Sequence, residues 1–432
     1  MLKMRAFYIR FFLYFCSVKK PLIIIVVLLC SSLSVWGQAV YDSAWRPDVK
    51  TVQLYRPGAE LDFPVLVMGQ APQLTLEFDV LGAEARNLQW SLRHCDRHWV
   101  PEALDANEFM SGFAEGSVEE HDFSFTTLVD YVHYRTILPG SFAEFTYSGN
   151  YVLTVTDDEH GDTLLTRRFC VTEQSVKVRA EMAVPYDGVN LRQRQEVDVS
   201  LESGEWGVGS NEQWLSVTAQ QNGRWDNARE LTFSGFNDGG LAYSRRQANI
   251  FDGGNTFRYF DCSNLRTPMY NVLRVEEYGG EQFVLLRPDE NRSKKHYLSE
   301  KSLAGGMKVN IWDRENPKLE ADYVWVNFSL PMEQPMLEGS VYIVGALTDW
   351  RLDSASRMDY NPEHRAYTKR LLLKQGYYAY QLLVSGGRRV LSATAPLEGD
   401  HQETPNRYTI YIYQHSPSDI ADRLLAVKRI MP

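Results

Sequence analysis

Apolar and polar residues alternate in short runs along most of this chain. In Leu74-Thr-Leu-Glu-Phe-Asp79, Leu74, Leu76 and Phe78 fall on one side, and Thr75, Glu77 and Asp79 on the other. A period of two predicts a strand with one packed face and one wet face. Leu88-Gln-Trp-Ser-Leu92, Tyr151-Val-Leu-Thr-Val-Thr156, Val176-Lys-Val-Arg179 and Tyr323-Val-Trp-Val-Asn-Phe-Ser-Leu330 read the same way. Turn chemistry separates the runs at Arg56-Pro-Gly58, Ser148-Gly-Asn150 and Glu159-His-Gly-Asp162. Short strands punctuated at this spacing predict an all-β chain of tandem immunoglobulin-like sandwiches.

The boundaries follow from the punctuation. A first sandwich is expected over 45–178, a middle β-rich domain over 179–318 and an immunoglobulin-like early-set sandwich over 319–415. The final strand of the third is placed at Asn406-Arg-Tyr-Thr-Ile-Tyr-Ile-Tyr413. The tail, 416–432, reads differently. Ser416-Pro-Ser-Asp419 offers a helix cap, and Ile420, Leu424, Val427 and Met431 follow at helical spacing, which predicts a short C-terminal helix.

The N-terminus is a different material. Residues 1–37 hold Lys3, Arg5, Arg10, Lys19 and Lys20, no acid, and an apolar run from Pro21 to Leu29. A basic stretch, an apolar stretch and small residues at Gly37-Gln-Ala39 predict a secretory signal peptide, with an uncleaved anchor as the alternative. The whole chain carries a net charge of −10, and losing the leader makes it more acidic. That disfavours nucleic acid and anionic membrane as partners. Beyond the leader stand Cys95, Cys170 and Cys262. Three thiols are too few for a disulfide framework. A Cys95–Cys170 bridge and free buried thiols both remain open.

Candidate chemistry is thin. His94, Cys95 and His98 invite a metal, but on a strand residues four apart lie roughly 13 Å from one another, and zinc needs three or four converging ligands. The bland alternative is a strand corner in which Cys95 and Trp99 are packed and Asp96 bonds the turn amides. No G-x-S-x-G elbow occurs. Asp252-Gly-Gly-Asn255 lacks the lysine of a phosphate loop and reads as a tight turn before Phe257-Arg-Tyr-Phe260. No catalytic, cofactor or metal site is expected.

Several blocks, taken in order, resemble one family. Thr51-Val-Gln-Leu-Tyr-Arg56, Leu74-Thr-Leu-Glu-Phe-Asp79, His94-Cys-Asp-Arg-His-Trp99, Tyr131-Val-His-Tyr134, Ser148-Gly-Asn-Tyr151 and Arg167-Arg-Phe169 are similar to the first domain of the type IX secretion system plug family. Arg224-Trp-Asp-Asn227 and Gly254-Asn-Thr-Phe-Arg-Tyr-Phe-Asp261 continue the likeness. His94, Cys95, Trp99, Asn150, Tyr151, Asn255, Phe257 and Arg258 are thereby marked as fold-signature residues. Thr256 departs from the family pattern, where a glutamate is expected, and puts a local salt bridge in question. The resemblance implies a non-enzymatic Bacteroidota protein of the periplasm, without cofactors. It would bind the outer-membrane translocon barrel and plug its periplasmic opening. The third domain resembles glycogen-binding sandwiches through Gly345, Trp350 and Gly376. That likeness makes Trp350 a possible ligand or partner contact and supplies an alternative, a periplasmic carbohydrate-binding sandwich.

Overall fold

The computed structural model describes residues 39–70, 73–140, 143–202, 212–237, 240–299, 303–386 and 392–431. The expected signal peptide lies outside them. The strands form three hydrophobic cores within one compact unit spanning Val40–Pro432. Among the described residues no helix is long and apolar enough to cross a membrane, and helices are short, such as Ala106–Phe109 and Pro317–Glu320.

The first sandwich packs two antiparallel layers. One runs Ser43–Ala44, Thr163–Thr172, Gly149–Asp157, Leu88–Cys95 and Glu115–Ser117, with Val65–Val67 added in parallel beside Thr163–Thr172. The other runs Val49–Tyr55, Leu74–Leu81, Tyr131–Leu138 and Glu120–Phe123. Leu76, Phe78, Tyr134, Leu153 and Phe169 fill the space between the layers. The strand predicted at 74–79 is present, but its polar face is not wet: Thr75, Glu77 and Asp79 are all buried.

The chain then begins a middle sandwich, leaves it, builds the third, and returns. Val178–Ala183, Arg194–Glu202, Gly240–Tyr243 and Gly235–Asn237 make one middle layer. Its opposing layer is Arg229–Leu231, Leu215–Gln221, Tyr408–Gln414 and Arg423–Ile430. Two expectations fail here. The strand placed at the end of the third sandwich pairs with Leu215–Gln221 of the middle one. The tail is not a helix: Ser416 and Asp419 form a closed turn, Asp419 N–H donating to the Ser416 carbonyl at 2.9 Å, and Arg423–Ile430 is a strand. Leu424, Leu425 and Ala426 are buried in succession because this strand is covered on both faces. A doubly covered strand shows a continuous apolar run, which helical spacing fits as well as any other.

The third sandwich is thus an insertion. Arg258–Asp261, expected in the middle domain, pairs with Gly376–Ser385, beside Met307–Val309. The facing layer is Val272–Tyr278, Glu281–Leu286, Tyr323–Pro331, Ala366–Lys374 and Asp359–Asn361. Gly253 marks the exit. A β-carbon there would lie 2.3 Å from the His401 carbonyl oxygen of the returning chain, so only glycine lets the two passes touch. Asn406 Nδ2 bonds the Gly253 carbonyl at 2.7 Å and locks the crossing.

Candidate functional site

Ser148-Gly-Asn-Tyr151 starts a central strand of the first sandwich and faces the middle one. Gly149 has φ +149°, and a β-carbon on it would fall 2.1 Å from His94 Nε2. The bare backbone lets His94 reach the Ser148 carbonyl at 3.1 Å. Asn150 is fully buried and satisfied from several directions. Its Nδ2 donates to the Asp96 carbonyl (2.9 Å), and its Oδ1 accepts from Tyr413 Oη (2.9 Å) and Cys170 Sγ (3.2 Å). Tyr413 belongs to the middle sandwich, so this asparagine is a bolt between two cores. Tyr151 stacks on Phe169 at 5.4 Å and donates to the Tyr147 carbonyl at 2.7 Å.

The same register settles the cysteines. Cys95 and Cys170 both pair with Asn150, from opposite sides. Two strand spacings put them roughly 10 Å apart, beyond the ~7 Å limit for a disulfide. Cys95, Cys170 and Cys262 are free and buried. Burial pushes the thiols of Cys95 and Cys262 up to about 12.

The His94–Trp99 corner is a turn. Asp96 Oδ1 accepts from the N–H groups of His98 and Val100, both at 2.8 Å. His94 is buried and His98 exposed, so the two rings do not converge. Trp99 packs edge-on against Phe63 and Trp225, and Trp225 lies against Tyr411. Arg168 caps this aromatic seam 5.0 Å from Trp99, held by a two-point bond to Asp42. Asp422 of the middle sandwich closes the corner, accepting from Arg97 N–H at 2.8 Å.

Asn255, Phe257 and Arg258 lie in the third sandwich, away from that corner. Arg258 bonds both oxygens of Glu398 (3.0 Å each) and Asp289 (2.9 Å). Burial opposes the charge on Glu398, but Arg258 and Arg292 outweigh it and hold the carboxyl below its usual range. Asp289 is pushed up by burial and by Glu398 beside it. Arg258 thus has two carboxylate partners without one at position 256. Asn255 Nδ2 donates to the Glu398 carbonyl at 2.8 Å.

Phe257 packs beside a cleft of about 780 Å³ where the three sandwiches meet. Trp350 lines it, packed edge-on against Phe257 with ring centroids 6.0 Å apart. Asp349 and Trp350 have φ of 50° and 56°, a left-handed pair of non-glycine residues. Such strain persists only where surroundings enforce it. Here Asp349 accepts from Arg167 Nη2 (2.6 Å) and Ala44 N–H (3.1 Å), both of the first sandwich. The other arginines on the walls are paired too: Arg168 with Asp42, Arg351 with Asp353, and Arg407 and Arg429 with Asp62.

Sequence reasoning missed one group. Asp79 accepts from His133 Nδ1 (2.7 Å), Tyr323 Oη (2.6 Å) and Lys374 Nζ (2.6 Å). Lys374 sits 4.0 Å over the Tyr131 ring and donates to the Lys318 carbonyl. Burial opposes ionisation of both partners; Lys374 and His133 overcome it for Asp79, which is held low, while burial lowers Lys374. Asp79 and Lys374 are each 1% exposed. The set combines an acid, a base and an amine, yet it is sealed between sandwiches and acts as a clamp. The signal was the polar face of the 74–79 strand. Among the described residues, no three His, Cys, Asp or Glu side chains gather as a metal site.

Comparison with known proteins agrees with this architecture. The family model of the type 9 secretion system plug protein 1st domain matches residues 49–173. A crystal structure of a hypothetical protein from Parabacteroides merdae superposes with a TM-score of 0.86 at 28% identity, covering 91% of this chain and all of that one. The C-terminal domain of the Streptococcus pyogenes antigen I/II-family protein AspA, at 8% identity and a TM-score of 0.16 over 88% of this chain and 98% of that one, carries no argument. No curated protein matches the chain. The matched stretch contains the Asn150 bolt, the Trp99 corner and Asp79, and over it the chain is similar to the first domain of the type 9 secretion system plug protein.

Proposed function

We propose that this protein is a periplasmic component of the type IX secretion system that binds the outer-membrane translocon and closes its periplasmic opening. The carrying observation is the plug-domain match over 49–173, on a domain fused by buried contacts to two further sandwiches. A stopper works by steric bulk. It must resist bending, and here the first sandwich is joined to the third through Asp79–Lys374 and to the middle through Asn150–Tyr413. Large well-packed interfaces oppose the domain motion that is otherwise the default.

Purification of the tagged protein from envelopes in mild detergent, read by mass spectrometry, tests this. The outer-membrane barrel of the secretion system is expected in the eluate. Its consistent absence removes the proposal. Cells lacking the protein should also admit large antibiotics through the unstopped barrel.

A further inference from the structure

Three sheet edges meet at the central cleft. Val49–Tyr55 is the outermost strand of its sheet and lines the cleft through Val52, Gln53 and Leu54. Its register slips between Lys50 and Gln53, and the Val52 carbonyl accepts from the Arg167 side chain at 3.2 Å instead of from a strand. Met307–Val309 is likewise outermost and contributes Met307. Arg423–Ile430 is outermost in the middle sandwich. The 173–175 segment covers it from Leu424 to Val427, the Gln174 side chain bonding both backbone groups of Val427 at 3.4 Å, while Arg429, Ile430 and Met431 line the cleft. Open edges are templates for another strand, and proteins ordinarily blunt or cover them.

The walls constrain what could cover these edges. Five arginines (Arg167, Arg168, Arg351, Arg407 and Arg429) face carboxylates with which they already pair. A phosphate, a nucleotide or a polyanion finds no uncommitted guanidinium among them. Between the ion pairs lie apolar surfaces, including Leu61, Ala346 and Leu352. Dipolar backbone flanked by apolar side chains complements such walls, and the volume lies in the range of ligand sites.

We infer that the cleft receives an extended segment of polypeptide from the translocon, added as a strand along these edges. The identity of the partner rests on the plug reading; the strand-shaped occupant rests on the edges and the compensated walls.

The probe is a set of fluorescein-labelled 15-residue peptides tiling the periplasm-facing segments of the barrel, read by anisotropy against the full chain. At least one is expected to bind, with proline substitutions in it harmful at alternate positions. Leu61→Trp and Met431→Trp fill the rim from residues 45% and 67% exposed, so the fold should tolerate both. Each should weaken that peptide tenfold or more without shifting the melting temperature. If no peptide binds, or binding ignores both rim variants, the inference is overturned. Continued co-purification of the variants with the barrel would then leave the plug reading standing. Failure of the unaltered chain to co-purify would instead bring down the plug reading and the assigned partner together.

Discussion

The first sandwich is joined to its two neighbours by different chemistry. Towards the third it offers charge: Asp79 with Lys374, which lies over the Tyr131 and Tyr323 rings, and Glu77 with Lys318. Towards the middle its buried contacts are aromatic surface and neutral hydrogen bonds: Trp99 on Trp225, Asn150 to Tyr413, Tyr147 Oη to the Ala421 carbonyl. Ion pairs there, such as Arg97 with Asp422 and Asp62 with Arg429, leave the arginine one-third exposed. The charged joint is specific and costly to disturb, because a buried ion left alone cannot regain its hydration. The aromatic joint spreads its stabilisation over contacts that are individually small. Two joints of unlike character let one face tolerate drift while the other fixes register.

The sharpest way to break the charged joint is Lys374→Met. It strands the Asp79 carboxylate in a sealed site and should cost about 3–5 kcal/mol in urea unfolding near neutral pH. Asp79→Leu combined with Lys374→Met removes both ions, and at least half of that loss should return. A double variant no better than the single would mean the pair is not the source of the cost.

At the aromatic joint the expected effects are smaller. Asn150→Ala leaves the Asp96 carbonyl and the Tyr413 hydroxyl without their partner, for about 2–3 kcal/mol. Tyr413→Phe removes only the bond across the joint and should cost about 1 kcal/mol. The two losses should be non-additive by roughly 0.5–1 kcal/mol in a double-mutant cycle, since the residues share that bond.

How far the sequence disclosed this arrangement depends on what each pattern encodes. Alternation revealed the strands, and Asp96, Gly149 and Gly253 marked tight places, because turns and close approaches demand particular residues locally. Alternation said nothing about which polar faces would be covered by another sandwich. Thr75, Glu77 and Asp79 carry the same signature whether they meet water or Lys374. The return of Tyr408–Gln414 to the middle sheet is non-local, and no residue in it names Leu215–Gln221 as partner. The C-terminal strand was read as a helix for the same reason: burial on both faces comes from neighbours distant in sequence. Trp350 was legible as an aromatic in a glycine-rich setting, but the cleft around it needs residues from all three sandwiches.

A third joint, the crossing between middle and third sandwiches, gives the mildest test and carries its own pH signature. Asp400 accepts from Gly254 N–H at 2.9 Å. Burial, with Asp252 nearby, nevertheless pushes its carboxyl up to about 6. The unfolded chain holds such a group near ~3.9. Between those values the folded form binds more protons than the unfolded form, so stability falls as pH rises through the window and the penalty is complete at neutral pH. Asp400→Asn keeps the Oδ1 acceptor and removes the charge. Allowing for solvent screening at this half-buried site, it should stabilise the protein by about 1 kcal/mol at pH 7.5 and by almost nothing at pH 4. An equal effect at both pH values would show that the crossing is indifferent to charge. That would set it apart from the Asp79 joint, where Lys374 and His133 hold the carboxylate ionised.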